Sequence, residues 1–177
     1  MNKFIALAGL SLAAIAATPA AAQTEATASA PTGARVEALV GYDIVSFAGE
    51  DEGGILYGVG AGYDFAIGNT AALGLDIEAS DSTTDVGPVN TGRDLYAGAR
   101  ATVAISPTAN LYVKGGYTNA RIKVDGLGGA NGDGFRLGAG AQFSLSGKAY
   151  VGGEYRYSNY ESDFSRHQLA LTIGTRF

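Results

Sequence analysis

The stretch that most constrains this chain is its last, His167 to Phe177. Leu169, Leu171, Ile173 and Phe177 fall on one parity, while Gln168, Thr172, Gly174 and Arg176 fall on the other. A period of two marks a strand whose faces meet different surroundings. About ten alternating residues also suffice to cross a bilayer as a tilted strand, and an aromatic at the end suits the membrane–water interface. Such a strand cannot span alone, because every unpaired amide or carbonyl on an open edge in hydrocarbon costs several kcal/mol. The rest of the chain is therefore expected to close a barrel around it.

Seven earlier runs alternate in the same way. Their apolar parities begin at Val36, Ile55, Leu73, Leu95, Leu111, Phe135 and Val151. The chain holds 27 glycines, each of which weakens a helix by about 1 kcal/mol relative to alanine, so a helical reading is disfavoured. Tight turns are expected at Gly68-Asn69-Thr70, Ser106 to Ala109 and Ser146-Gly147-Lys148. Longer loops are expected at roughly 46–54, 81–92, 122–134 and 158–165. Short turns at one end and long loops at the other are the asymmetry of outer-membrane barrels, with turns periplasmic and loops outside. The fold expected for residues 34–177 is all-β, an eight-stranded antiparallel up-and-down transmembrane β-barrel.

Ahead of the barrel, Lys3 precedes the apolar run Phe4 to Ala17, which is followed by Thr18-Pro19 and the small-residue end Ala20-Ala21-Ala22. This reads as a cleaved secretory signal peptide over 1–22, followed by a flexible periplasmic lead-in over 23–33. Without Lys3 the chain keeps 11 basic residues against 17 acidic ones, a net charge of −6. So acidic a protein is a poor partner for nucleic acid. The absence of cysteine removes both a disulfide framework and thiolate metal sites.

The placement of aromatic residues decides which face meets lipid. Tyr42, Tyr57, Tyr117, Phe135 and Tyr157 gather toward the long-loop end, and Phe65, Phe143 and Phe177 toward the short-turn end. Two aromatic belts are what a bilayer selects. The opposite parity carries Glu37, Asp76, Glu78, Arg100, Lys114, Arg136, Glu154 and Arg156 among glycines. If the turns at Asn69 and Gly147 are symmetrical, Asp76 faces Gly62, Glu78 faces Gly60, Glu154 faces Gly140 and Arg156 faces Gly138. Large groups opposite glycines suit a narrow lumen, and eight strands leave an interior just wide enough for side chains to fill. A polar network of these eight residues is expected to plug the lumen, with the acids paired to the bases.

Several segments resemble a known family. Thr118 to Arg121, Asp133 to Gly140, Glu154 to Tyr160, Ser165 to Gln168 and the terminal Arg176-Phe177 resemble the small outer-membrane β-barrel proteins of alphaproteobacteria. That family is related to opacity-type surface antigens and is often labelled porin-like. The resemblance implies an eight-stranded barrel in a Gram-negative outer membrane. It also implies that the last strand, through Leu169, Leu171, Ile173 and Phe177, is the signal read by the barrel-assembly machinery.

No catalytic, cofactor or metal site is expected. His167 is the single histidine and stands two residues from Ser165. Lipid A deacylases carry a His and a Ser at that spacing in the reverse order, and an interfacial role accounts for His167 more simply. The glycine-rich run Asp125 to Gly134 lacks the repeats and oxygen ligands of a calcium site. The acidic loop residues Glu50, Asp51, Glu52, Asp81, Asp85, Glu161 and Asp163 solvate the surface or bridge to lipopolysaccharide through divalent cations. Three functions follow in descending order: a non-enzymatic structural or surface barrel for envelope integrity or recognition, a small channel for ions or tiny solutes, and a lipid-modifying enzyme. The expected partners are outer-membrane lipids and lipopolysaccharide, with the barrel monomeric.

Overall fold

Period-two alternation becomes nine strands in the computed structural model, which describes residues 27–47, 50–86, 89–124, 128–146, 148–160 and 164–177. The expected signal peptide, the first part of the lead-in, Asp125, Gly147, Glu161 and Asp163 lie outside those residues. The strands are β1 (Gly33–Phe47), β2 (Glu50–Ala66), β3 (Ala71–Ser82), β4 (Asp85–Val86), β5 (Val89–Ala104), β6 (Ala109–Val124), β7 (Gly128–Ser144), β8 (Ala149–Tyr160) and β9 (Phe164–Arg176). All pairings are antiparallel, in the order β3-β2-β1-β9-β8-β7-β6-β5, and β3 pairs with β5 to close the ring. The two-residue β4 pairs with β5 beyond the wall. Eight strands thus form a closed barrel, the one sheet topology that leaves no edge in lipid.

Closure joins the two ends of the barrel sequence. β1 and β9 pair from Arg35 opposite Arg176 to Ser46 opposite Ser165. The Phe177 amide donates to the Ala34 carbonyl at 2.9 Å. Gly33 sits beside this junction with φ of 95°, a left-handed conformation that favours glycine. A Cβ there would also lie 2.5 Å from the Phe177 carbonyl oxygen. Ahead of β1, the buried Ala30 donates to the Asn69 carbonyl and ties the end of the lead-in to the β2–β3 turn.

The register has the pairings that symmetrical turns require. Asp76 faces Gly62 and Glu78 faces Gly60, while Glu154 faces Gly140 and Arg156 faces Gly138. The glycines make room for the charged groups. A Cβ on Gly62 would come 2.5 Å from the Arg35 guanidinium, and one on Gly138 would come 3.2 Å from Lys114 and 3.3 Å from Glu154.

The expected long loops differ from the structure. β1 and β2 stay paired out to Phe47 opposite Glu50, and β6 and β7 out to Val124 opposite Gly128. Most residues assigned to loops are paired hairpin extensions. Once the membrane-embedded register is set, the backbone ladder continues into water, where neither face has to be apolar and the period-two signal fades.

Burial is inverted relative to a water-soluble barrel. On β3, Leu75 and Ile77 are each 63% exposed, whereas their neighbours Asp76 and Glu78 are each 6% exposed. Most apolar side chains point outward and most ionisable ones inward around the wall, with Leu39, Val45 and Leu56 among the buried apolar exceptions.

Candidate functional site

The inward parity brings seven cations and seven carboxylates into the lumen among the described residues. The cations are Arg35, Arg100, Lys114, Arg136, Arg156, Arg166 and Arg176; the carboxylates are Glu37, Asp43, Asp64, Asp76, Glu78, Asp94 and Glu154. The lumen is therefore balanced in formal charge, although the chain as a whole is acidic. Isolated ions would be costly to bury, so the matching of partners matters more than their number.

The pairs form a ladder along the barrel axis. At the periplasmic end Asp64 accepts from Arg176 at 2.5 Å and from Arg35 at 2.9 Å. Arg35 also pairs with Asp76, which accepts from Arg100 Nε at 2.8 Å, and Arg100 reaches Glu37 at 3.4 Å. The Tyr150 hydroxyl donates to Glu37 at 2.9 Å. The Arg100 guanidinium lies 4.2 Å from the centre of the Tyr112 ring, and the Tyr112 hydroxyl donates to Glu154 at 2.7 Å.

Glu154 is in turn 2.9 Å from both Lys114 and Arg156. The centre of the ladder is Glu78, which pairs with Arg156, with Arg136 at 3.3 Å and with Lys114 at 3.4 Å. Arg136 continues to Asp94. Asp94 also accepts from Thr118 at 2.5 Å and Tyr160 at 2.7 Å, and lies 3.3 Å from Arg166. Arg166 closes the outer end on Asp43 at 2.5 Å, where Gln168, Ser82 and Thr84 also donate at 3.0, 2.8 and 3.1 Å.

All eight residues selected from the sequence lie in this ladder. Sequence reasoning left Arg35, Asp43, Asp64, Asp94 and Arg166 out of the network, and put Arg176 on the inward parity without giving it a partner. It also missed the inward tyrosines Tyr96, Tyr112, Tyr150 and Tyr160, whose hydroxyl ends give an aromatic side chain a polar use indoors. Parity was the available signal, since each stands in phase with the residues that were selected.

On the outer surface Tyr42, Tyr57, Tyr117 and Phe135 are exposed toward one end, and Phe65, Phe143 and Phe177 toward the other. Tyr63, packed 4.7 Å from Phe65, and Tyr155 add to the outward aromatics. Tyr157 is half-buried against His167, with ring centres 4.9 Å apart. The Tyr155 hydroxyl lies 2.7 Å from His167 Nδ1, so the histidine is held between two tyrosines on the outward face. Leu169, Leu171 and Ile173 are more than half exposed on the same face of β9. Above the outer belt, Tyr117 and Asn119 each donate to Asp133 at 2.5 Å and hold its carboxyl below the usual range. Among the described residues no group of three potential ligands is placed to hold a metal ion.

An inverted, closed, eight-stranded wall with an ionic interior is the architecture of outer-membrane barrels. A sequence profile for the outer membrane protein β-barrel domain matches residues 8–177. The chain belongs to this family. It is a small β-barrel of the Gram-negative outer membrane. No functionally curated protein matches the sequence. Among solved structures, neisserial surface protein A is 17% identical with a TM-score of 0.62, covering 82% of this chain and 98% of its own. The attachment invasion locus protein Ail of Yersinia pestis, bound to the heparin analogue sucrose octasulfate, is 18% identical with a TM-score of 0.61, covering 82% and 99%. The outer membrane enzyme PagL is 14% identical with a TM-score of 0.51, covering 81% and 99%. At these identities the likeness is one of fold, which hosts both surface proteins and an enzyme.

Proposed function

We propose that this barrel is a non-enzymatic structural protein of the cell surface, with a plugged lumen and with outer hairpins that serve envelope integrity or recognition. The observation that carries the reading is the ladder from Arg176 to Asp43, in which every rung finds an opposite charge. A narrow lumen filled by paired side chains leaves no continuous aqueous path for solutes. Relatives of the same fold include proteins named for the neisserial surface and for attachment and invasion, which supports a role at the surface. The outer membrane lipids are its immediate partners, the monomer is its working form, and β9 with Phe177 is its signal for barrel assembly.

The test is the envelope of a deletion strain. Loss of the protein is expected to raise sensitivity to detergent and bulky antibiotics or to reduce adhesion to surfaces. Wild-type behaviour in both assays would sink the proposal.

A second reading, a narrow conduit for ions or tiny solutes, draws on a specific feature. The hydroxyls of Ser80, Tyr96 and Thr172 are buried without a protein hydrogen-bond partner, and such groups are ordinarily solvated. Small conductance steps in a bilayer would favour that reading over the first.

A further inference from the structure

We propose that Arg93 and Arg121 form a two-armed seat for a phosphate on the headgroup of an outer-leaflet glycolipid. The proposal concerns the outside of the wall and does not require the lumen to be plugged.

It begins with where the basic residues go. Of the 12 in the chain, Lys3 lies in the expected signal peptide, seven pair inside the lumen, and Lys148 stands in the β7–β8 turn at the opposite end. The remaining three, Arg93, Arg121 and Lys123, all fall at the outer ends of β5 and β6. At the outer end of the barrel, basic residues that do not enter the lumen are therefore confined to one strand pair.

A break in the ladder brings two of them together. Thr91 pairs with Ile122 and Asp94 with Ala120, so Gly92 and Arg93 on β5 stand against Arg121 alone on β6. This is a β-bulge, a device that re-aims a side chain at the edge of a regular ladder. A Cβ on Gly92 would come 3.1 Å from the Arg121 carbonyl oxygen, so that place is close-packed backbone. Arg93 shares the parity of the outward Leu95, and Arg121 that of the outward Tyr117. Both arginines are exposed.

Like charges placed across adjacent strands repel, and a neutralising group is missing among the described residues. Asp94, next in sequence, points inward to Arg136 and Arg166. Asp133, opposite Asn119, is committed to Tyr117 and Asn119. Among the described residues neither arginine has an ion pair, in contrast to every arginine of the lumen. The arrangement is complete only with an anion, and a guanidinium pair matches the tetrahedral oxygens of phosphate through bidentate hydrogen bonds.

Position selects the lipid as the source. Arg121 is four residues beyond Tyr117 of the outer belt, about 13 Å along the strand, or about 10 Å along the membrane normal at ordinary barrel tilt. The side chains leave on the membrane-facing parity, and long basic side chains there reach the headgroup layer. A soluble polyanion would be better met at the hairpin tips.

Native mass spectrometry of the detergent-folded barrel, titrated with bisphosphorylated lipid A, tests this. Wild type is expected to retain lipid A. Arg93→Gln with Arg121→Gln is expected to lose about thirtyfold in binding, since each surface cation contributes of order one kcal/mol toward an anionic headgroup. Lysine at both positions should restore part of that loss, and lipid A stripped of its phosphates should bind wild type and the double variant equally weakly. Heat-modifiable gel mobility checks folding; if the double variant does not fold, Arg93→Gln alone is expected to show about a fivefold loss. Undiminished binding by the folded variant would overturn the proposal. So would equal binding of phosphorylated and stripped lipid by wild type. Displacement of bound lipid A by millimolar inorganic phosphate or by heparin fragments would assign the seat to a soluble anion and overturn the lipid as its ligand.

Discussion

The two faces of one strand, β3, follow different rules. Inside, Glu78 is 6% exposed and is fixed by Arg156, Arg136 and Lys114, which come from three other strands. One residue earlier and on the outside, Ile77 is 63% exposed and meets whatever apolar chain lies beside it. The inner face depends on identity and geometry, since a partner removed leaves an uncompensated charge. The outer face depends on polarity alone, since lipid conforms to many shapes. Uniqueness of structure in this barrel therefore resides in its polar interior, the reverse of a water-soluble domain.

Substitutions at this pair of neighbours probe the contrast. Glu78→Ala takes one carboxylate from three buried cations, leaving Lys114 and Arg156 to share Glu154 and Arg136 with Asp94 alone. The unbalanced charge is expected to destabilise the barrel by about 3–5 kcal/mol, measured by urea unfolding in lipid vesicles; an unchanged midpoint would show that Glu78 contributes nothing to the ladder. Ile77→Arg puts a charge into hydrocarbon and is expected to cost about 2–4 kcal/mol near the midplane in the same assay. Gly138→Val fills the space used by Lys114 and Glu154, with an expected loss of about 1–3 kcal/mol from overpacking. Ile77→Val keeps the outer face apolar and should cost less than about 1 kcal/mol; a cost equal to that of Glu78→Ala would erase the difference between the faces.

A change at the end of the chain sharpens the contrast differently. Phe177→Ser removes an outward side chain that makes no ionic contact, so equilibrium stability is expected to shift less than for Glu78→Ala. Its effect should appear instead in the yield of barrel assembled in cells, read by heat-modifiable mobility. Normal insertion of the variant would remove Phe177 from the assembly signal.

Much of this was legible from parity. Asp76 opposite Gly62 and Arg156 opposite Gly138 follow from counting outward from two turns. The pairing of β1 with β9 follows from the need to close the edge. Asp43 and Arg166 were harder to assign because they stand at the ends of alternating runs, beside the loops expected at 46–54 and 158–165, where a charge reads as solvated as readily as inward. Tyr112 and Tyr150 stood on the polar parity, but an aromatic ring beside a membrane suggests lipid until its hydroxyl is seen on a carboxylate. Contacts such as Arg166 with Asp94 cross the lumen between strands far apart in sequence. They depend on the shear of the closed barrel, which no single strand encodes.

The central claim is that a balanced ion-pair ladder closes the lumen. Its most direct measurement is single-channel current across a planar bilayer containing the purified, folded protein. The account predicts a silent baseline for wild type, with fluctuating openings appearing when Glu78 is replaced by alanine. Large, stable conductance steps from the wild-type barrel would contradict it.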